Sequence, residues 1–353
     1  MNSRIQQILD KAVDKNSLSK EEIIAVLLCE SSHNDVLFRA ADLVRKRHVG
    51  DAVHLRGIIE FSNYCRRHCS YCGLRCANKD LQRYRMTPDA IYQAALDAAA
   101  LGYRTIVLQS GEDLFFDADT VAALVRRLKK LGVAVTLSLG ERTYEEYRLW
   151  RKAGADRYLL KHETADPVLY QKLHPDANQA GRLDCLSWLR ELGYQVGSGC
   201  MVGLPGQTAE MLAADLLLLK ELDVEMAGIG PFIPHPSTPL AEAAAGTAEM
   251  TLRMVALARL LLPLAHLPAT TALATIDGYG RTKALSCGAN VVMLNVTPLE
   301  YRSMYEIYPN KNRADSTPAA ARRQFEELLA GLGRPVAEDV GHSPKSKFQR
   351  TVS

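Results

Sequence analysis

Beyond residue 53 the hydrophobic pattern settles into a repeat. A short β-prone apolar run is followed each time by a longer stretch whose apolar residues recur at helical spacing. The runs at 54–61, 104–109, 133–138, 156–162, 195–201, 225–232, 267–273 and 290–294 predict eight strands. Helical patterns lie between them at 88–101, 118–131, 143–153, 182–192, 208–222 and 249–262. Strands alternating with helices predict an α/β fold with a parallel sheet, and eight of them match a (β/α)8 TIM-type barrel. An open doubly wound sheet is the alternative.

Ahead of the repeat, 3–14, 19–30 and 34–48 read as helices, so residues 1–50 are expected to form an N-terminal helical cap on a barrel spanning 51–310. Ser19 with Glu22 three places on makes a capping box before the apolar Ile23, Ile24, Val26, Leu27 and Leu28. Cys29 on that face reads as a packed core thiol. The third helix ends in Arg45, Lys46, Arg47 and His48, a solvated last turn that complements the helix dipole. The remainder, 311–353, is expected to hold a helix at 318–331 that packs on the barrel, and to fray past Gly341.

Composition narrows the partners. The 353 residues are 47% hydrophobic and 24% charged with a net charge of +3. This is ordinary for a chain with a sizeable core, and the positive charge is not gathered into a stripe, so no nucleic-acid partner is expected. The N-terminus lacks the apolar run of a signal peptide, and no 18-residue apolar stretch would span a membrane. Four of the eight cysteines lie in one loop. That distribution fits a reducing compartment, hence the cytoplasm, better than a disulfide scaffold.

The loop is the densest chemistry in the chain. Cys65, Cys69 and Cys72 are spaced C-x3-C-x2-C directly after the first predicted strand, the end of a barrel strand where working residues sit. Three thiolates can hold a [4Fe-4S] cube that normally takes four, leaving one iron open. The competing reading is a zinc knot or buried cysteine cluster with Cys76 as fourth ligand. It lacks the second C-x2-C or Cys/His half that zinc sites usually show.

Further candidates fall at other strand ends. Gly111 lets backbone approach a ligand, and the adjacent Glu112 and Asp113 can accept from an ammonium group; a polar turn is the plain alternative. In the fourth strand, alternation puts Arg157, Leu159, Lys161 and Glu163 on one face and Tyr158, Leu160 and His162 on the other. Those charges read equally as an inter-strand salt bridge or as ligand-binding groups, and His162 as a hydrogen-bonded structural histidine. Arg182, placed at a helix start against the dipole, points either to a carboxylate ligand or to an exposed arginine. Glycines crowd 197–206 and 228–230, where Ile229 offers an apolar edge to an adenine ring; they do not form a dinucleotide fingerprint. Thr270, Thr271 and Met293 lie at later strand ends. Tyr301, Tyr305 and Tyr308 are spaced as one helix face that packs in the core or closes the barrel mouth.

The cysteine motif, with Tyr71 before its last Cys, resembles the signature of the radical S-adenosylmethionine (SAM) superfamily. There SAM chelates the open iron, and one electron cleaves it to methionine and a 5'-deoxyadenosyl radical. Ser110-Gly111-Glu112 resembles the superfamily's motif for the SAM amino group. The runs EFSNYC (60–65), RYRMTP (83–88), LQSGED (108–113), VTLSLGE (135–141), DRYLLKHETA (156–165), MVGLPGQT (201–208) and GIGPFIPHP (228–236) further resemble the HydE family of [FeFe]-hydrogenase maturases, with relatives in biotin synthase and methylornithine synthase. The resemblance implies one [4Fe-4S] cluster on Cys65, Cys69 and Cys72. It implies SAM held by Tyr71, Ser110, Gly111, Glu112, Ser138, Glu163, Arg182, Met201 and Ile229. An anionic substrate falls to Arg56, Arg157, Lys161, Thr270, Thr271, Met293, Tyr305 and Tyr308, with Lys161 where arginine is expected. The implied function is H-cluster assembly with the HydG and HydF maturases and a reduced electron donor, on an iron-cysteine-carbonyl-cyanide precursor. A second cluster, held in some members by cysteines beyond the barrel, is not expected, since 309–353 contain none. An iron-sulfur carrier is the non-enzymatic alternative.

Overall fold

The computed structural model describes residues 4–311 and 316–349. These form nine strands: β1 (His54–Ser62), β2 (Thr105–Ser110), β3 (Ala134–Ser138), β4 (Arg157–Leu159), β5 (Gln195–Ser198), β6 (Met201–Val202), β7 (Met226–Ala227), β8 (Gly230–Pro231) and β9 (Val291–Asn295). Seven of them pair in parallel in the order β7-β5-β4-β3-β2-β1-β9, while β6 and β8 pair separately. Single bridges, Met226 to His266 and Pro268 to Val291, span the gap between β7 and β9. The fold is a partial TIM barrel with a narrow seam at 266–269. No helix among the described residues is long and apolar enough to cross a membrane.

Four expected strands fall short of their apolar runs, the fourth ending at Leu159. The fifth and sixth each break in two where Gly199 lies too close to the Gly228 backbone for a side chain of its own: a Cβ on Gly199 would stand 2.0 Å from the Gly228 carbonyl oxygen. The seventh, expected over 267–273, does not form a strand: only single bridges at His266 and Pro268 mark its place, and Thr270 caps the helix Thr271–Ile276 by accepting from the Leu273 amide. The expected helix at 182–192 starts earlier, at Gln179, because Asn178 caps it.

The helices Arg4–Lys15, Lys20–Leu27 and Asn34–Val49 pack with the helix Ala248–Leu261, which is buried from Thr251 to its end. Two arginines inside that helix survive burial by bonding carbonyls. Arg253 donates to Leu27 and Cys29 (2.7 and 2.8 Å), and Arg259 to Gly288 and Pro263 (both 2.8 Å). The capping box at Ser19 and Glu22 is formed. Cys29 is only half-buried, its thiol on the Val26 carbonyl. Arg45 corrects the expectation of a solvated basic turn: it is buried, with Asp42 at 2.6 Å and Asp51 at 3.0 Å.

The C-terminal part does not leave the barrel at Gly341. After the helix Pro318–Gly331, Arg334 donates to the carbonyls of Leu285 (2.6 Å), Asp51 (2.9 Å) and Ala289 (3.0 Å), and Val336 bridges to Val53. Residues 340–343 then cross the end of the barrel where the strands begin. Val340 accepts from Thr105 and the Ser343 amide donates to Gln195, two strand-opening residues. Lys345 fastens the segment further on to Asp223 (2.6 Å) and Glu225 (3.1 Å).

Candidate active site

A cavity of about 730 Å³ opens at the C-terminal ends of the strands and extends into the barrel. Cys65, Cys69 and Cys72 line it; Cys76 does not, and its amide donates to the Arg67 carbonyl at 2.8 Å. Burial raises all three cavity thiols. Each of Cys69 and Cys72 is raised further by a neighbouring cysteine, Cys72 to about 12. Three buried thiols that repel one another as thiolates suit a polycationic iron centre that neutralises them. Among the described residues no three His, Cys, Asp or Glu side chains are placed to share one metal ion.

The loops after β1, β2 and β3 are locked together by charge. The Glu112 carboxylate, 6% exposed, pairs with Arg67 (2.6 Å) and Arg66 (3.1 Å) and accepts from the Glu141 amide (3.0 Å). Glu141 in turn pairs with Arg67 (2.5 Å) and with Arg182 (2.6 Å), whose guanidinium also donates to the Lys161 carbonyl. Two glycines make this possible. A Cβ on Gly111 would stand 2.2 Å from the Tyr64 carbonyl oxygen, and one on Gly140, at φ +75°, 2.0 Å from Glu112 Cγ. The Glu112 amide meanwhile donates to Cys65 Sγ at 3.4 Å, tying the acidic loop to the cysteine loop.

Glu163 lies past the end of β4 with φ +66°, a left-handed conformation that costs a non-glycine residue energy. Its neighbours hold it there. His162 sits between Ser198 Oγ (3.0 Å) and Asp215 (3.4 Å), and Asp215 also accepts from the Ala165 amide (2.5 Å). The strand alternation expected over 157–163 thus ends at 159. Burial would raise the Glu163 carboxyl, but Lys161 at 3.0 Å holds it below the usual range.

Of the residues singled out for SAM, Tyr71, Ser110, Gly111, Glu112, Ser138, Glu163, Arg182 and Met201 line the cavity with the cysteines. Ile229 does not: it is packed in the core, and the backbones of Gly228 and Gly230 face the cavity in its place. Of the substrate candidates, Arg56, Lys161, Thr270, Thr271, Met293, Tyr305 and Tyr308 line it. Arg157 does not. Fully buried at the start of β4, it donates to the Val340 and Gly341 carbonyls (2.7 and 2.6 Å). Nor do the tyrosines share a helix face, since the helix Leu299–Arg302 stops short. Tyr301 stacks on Tyr84, while Tyr305 and Tyr308 reach the cavity from coil.

Arg67, Glu141, Glu60 and Gln109 also belong to the cavity or its charge network, although the motifs did not single them out. Arg67 stands between two cavity cysteines and Glu141 directly follows a strand-end glycine, so a signal for both existed in the chain order.

Comparison with known proteins places this geometry. Residues 59–219 match the model of the Radical SAM superfamily. The chain is 51% identical to the [FeFe] hydrogenase maturase subunit HydE of Thermotoga maritima, over 95% of this chain and 97% of that one. The chain belongs to the HydE family. It is therefore a radical SAM enzyme of the hydrogenase-maturase type, and membership implies a [4Fe-4S] cluster and SAM. The HydE family shares its fold with neighbours. The chain is 30% identical to 3-methylornithine synthase of Methanosarcina acetivorans, over 80% of this chain and 81% of that one. Among solved structures, methylornithine synthase (PylB) superposes with a TM-score of 0.83 at 25% identity, covering 94% of this chain and 97% of that one. The maturase HydG gives 0.79 at 19% identity, covering 94% and 75%, a likeness of fold alone.

Proposed function

We propose that the chain acts with the HydG and HydF maturases in [FeFe]-hydrogenase H-cluster assembly, on an iron-cysteine-carbonyl-cyanide precursor delivered by HydG. The observation that carries this reading is one cavity shared by three cysteines at its mouth and cationic and hydroxyl groups deeper inside. Cys65, Cys69 and Cys72 hold a single [4Fe-4S] cluster. Bound there, the cluster and SAM supply a 5'-deoxyadenosyl radical once one electron has been delivered.

The chain's own groups bind and orient. Glu112 would hold the SAM ammonium and Arg182 its carboxylate, with Glu163, Tyr71, Ser110, Gly111, Ser138 and Met201 lining the same part of the cavity. Ile229 acts only through core packing, and Gly228 and Gly230 offer the adenine their backbone. Lys161 and Arg56 attract an anionic substrate whose polar atoms Thr270, Thr271, Tyr305 and Tyr308 meet, while Met293 supplies an apolar contact. Arg157 supports this wall from below. We place the reaction in the cytoplasm.

Anaerobic reconstitution, followed by iron analysis and 5'-deoxyadenosine release with and without the HydG product, tests the reading. About four irons per chain are expected for one cube, with release stimulated by that product. About eight irons would refute the single cluster, and unstimulated release would leave a radical SAM enzyme with another substrate. Cys76→Ala is expected to keep its iron and its turnover; loss of the cluster in that variant would make Cys76 a ligand.

Glu141 positions Arg67 and Arg182 rather than touching SAM. Glu141→Gln keeps the shape but removes the charge from two charge-assisted bonds, each worth about 1.5–3 kcal/mol. SAM affinity measured by calorimetry should fall at least tenfold, with iron content unchanged. An unaltered affinity would detach this network from SAM binding.

A further inference from the structure

The cavity accounts for the inner side of the cysteine loop; its outer side carries a second feature. Tyr64, immediately before Cys65, is 36% exposed, and Leu114 and Phe115, beyond Glu112, are 54% and 68% exposed. Arg85 joins them into one surface. Its guanidinium lies 3.7 Å from the Tyr64 ring centre and 4.5 Å from that of Phe115. Arg83 stands 6.0 Å from the Tyr64 ring on another side.

On the side of the cysteine loop the rim of the patch is basic, whereas past Phe115 the exposed Asp117 and Asp119 follow. Residues 64–85 hold six Arg or Lys against a single Asp in a chain whose whole net charge is +3. Arg66, Lys79 and Arg85 reach solvent, whereas the acids that pair with the loop, Glu112 and Asp113, are buried beneath it. An exposed apolar centre with a basic rim is the form of a transient docking surface for an acidic protein.

The patch also lies where an electron has to enter. The Tyr64 carbonyl and Cys65 Cβ pack on Gly111, and the Glu112 amide touches Cys65 Sγ, so a few residues separate the patch from a cavity cysteine. Electron tunnelling falls steeply with distance, which favours the nearest accessible surface.

We propose that Tyr64, Leu114 and Phe115, rimmed by Arg66 and Arg85, form the docking site for an acidic one-electron carrier of the ferredoxin class. The reduced carrier gives one electron to the oxidised cluster and leaves oxidised; no bond forms or breaks in that step. The proposal rests on the cluster assignment made above. It goes beyond it in naming the surface and the partner's chemistry.

The test uses the reconstituted full chain, the Leu114→Glu/Phe115→Glu double variant and a bacterial ferredoxin of acidic surface. Calorimetry with oxidised ferredoxin should show salt-sensitive binding to the unaltered protein that weakens at least tenfold in the variant. Stopped-flow reduction by the reduced ferredoxin should slow by a similar factor. Deoxyadenosine release driven by dithionite, a small reductant that needs no docking surface, should be equal in both proteins.

Equal ferredoxin binding and reduction in the two proteins would overturn the proposal, as would a variant impaired equally with dithionite. So would sedimentation showing that the patch joins two copies of the chain while ferredoxin kinetics stay unchanged. If the unaltered protein releases nothing with dithionite, the cluster reading itself fails and takes this proposal with it.

Discussion

Cys69→Ala is expected to abolish deoxyadenosine release and to lower the iron retained after reconstitution. Cys69 is the thiol most enclosed by the others: burial raises it first, then Cys72 and Cys65, with Arg182 acting in the opposite direction. A cube held by two thiolates has two open irons and a loop no longer closed around it. The variant should nevertheless fold. The side chain lines a cavity rather than filling the core, and the loop's other ties remain, including the Glu112 amide on Cys65 and the Arg67 pairs with Glu112 and Glu141. Cys287→Ala is the matched control. That thiol is buried, but it packs between the helices Ala248–Leu261 and Gly280–Leu285 away from the cavity, so its loss should cost stability and leave iron and turnover in place. Iron analysis with product chromatography separates the two. Unchanged release from Cys69→Ala would sink the assignment of the loop.

The barrel was legible in the chain because its strands repeat at regular spacing, each followed by a helix with one apolar face. The cysteine loop was legible because three ligands within eight residues are a local signal, and Ser110-Gly111-Glu112 because it falls one βα unit later. What failed to show were contacts between distant segments. The mutual approach of Gly199 and Gly228 splits two strands, and Ile229, read as an apolar edge for an adenine ring, packs in the core instead. Arg157 does occupy an inward position. But nothing local in DRYLLKHETA records that residues 340–343 would arrive beneath it. The same holds for Arg45, whose burial depends on Asp51 beyond the end of its own helix.

Deleting residues 339–353 is expected to destabilise the protein by about 3–5 kcal/mol, the scale of leaving a buried charge without its partners. Among the described residues no carboxylate pairs with the Arg157 guanidinium. It donates to the carbonyls of Val340 and Gly341, with His342 Nδ1 at 3.2 Å, Thr105 Oγ1 at 3.2 Å and Gln195 Oε1 at 3.3 Å completing the shell. Arg56 nearby donates to the same Gly341 carbonyl at 3.3 Å, and burial lowers the pKa of both arginines, that of Arg157 to about 10. Deletion removes three of the five Arg157 partners at once. A second substitution separates this effect from simple loss of packing. Arg157→Leu should destabilise the full chain, because it strands the carbonyls of 340–341. In the truncated chain the same change should cost little or add stability, since it removes the charge left without acceptors. Urea midpoints of the four proteins complete the cycle. If Arg157→Leu costs the same with and without the C-terminal segment, the segment is only a cover for the barrel floor and not the partner of its cations.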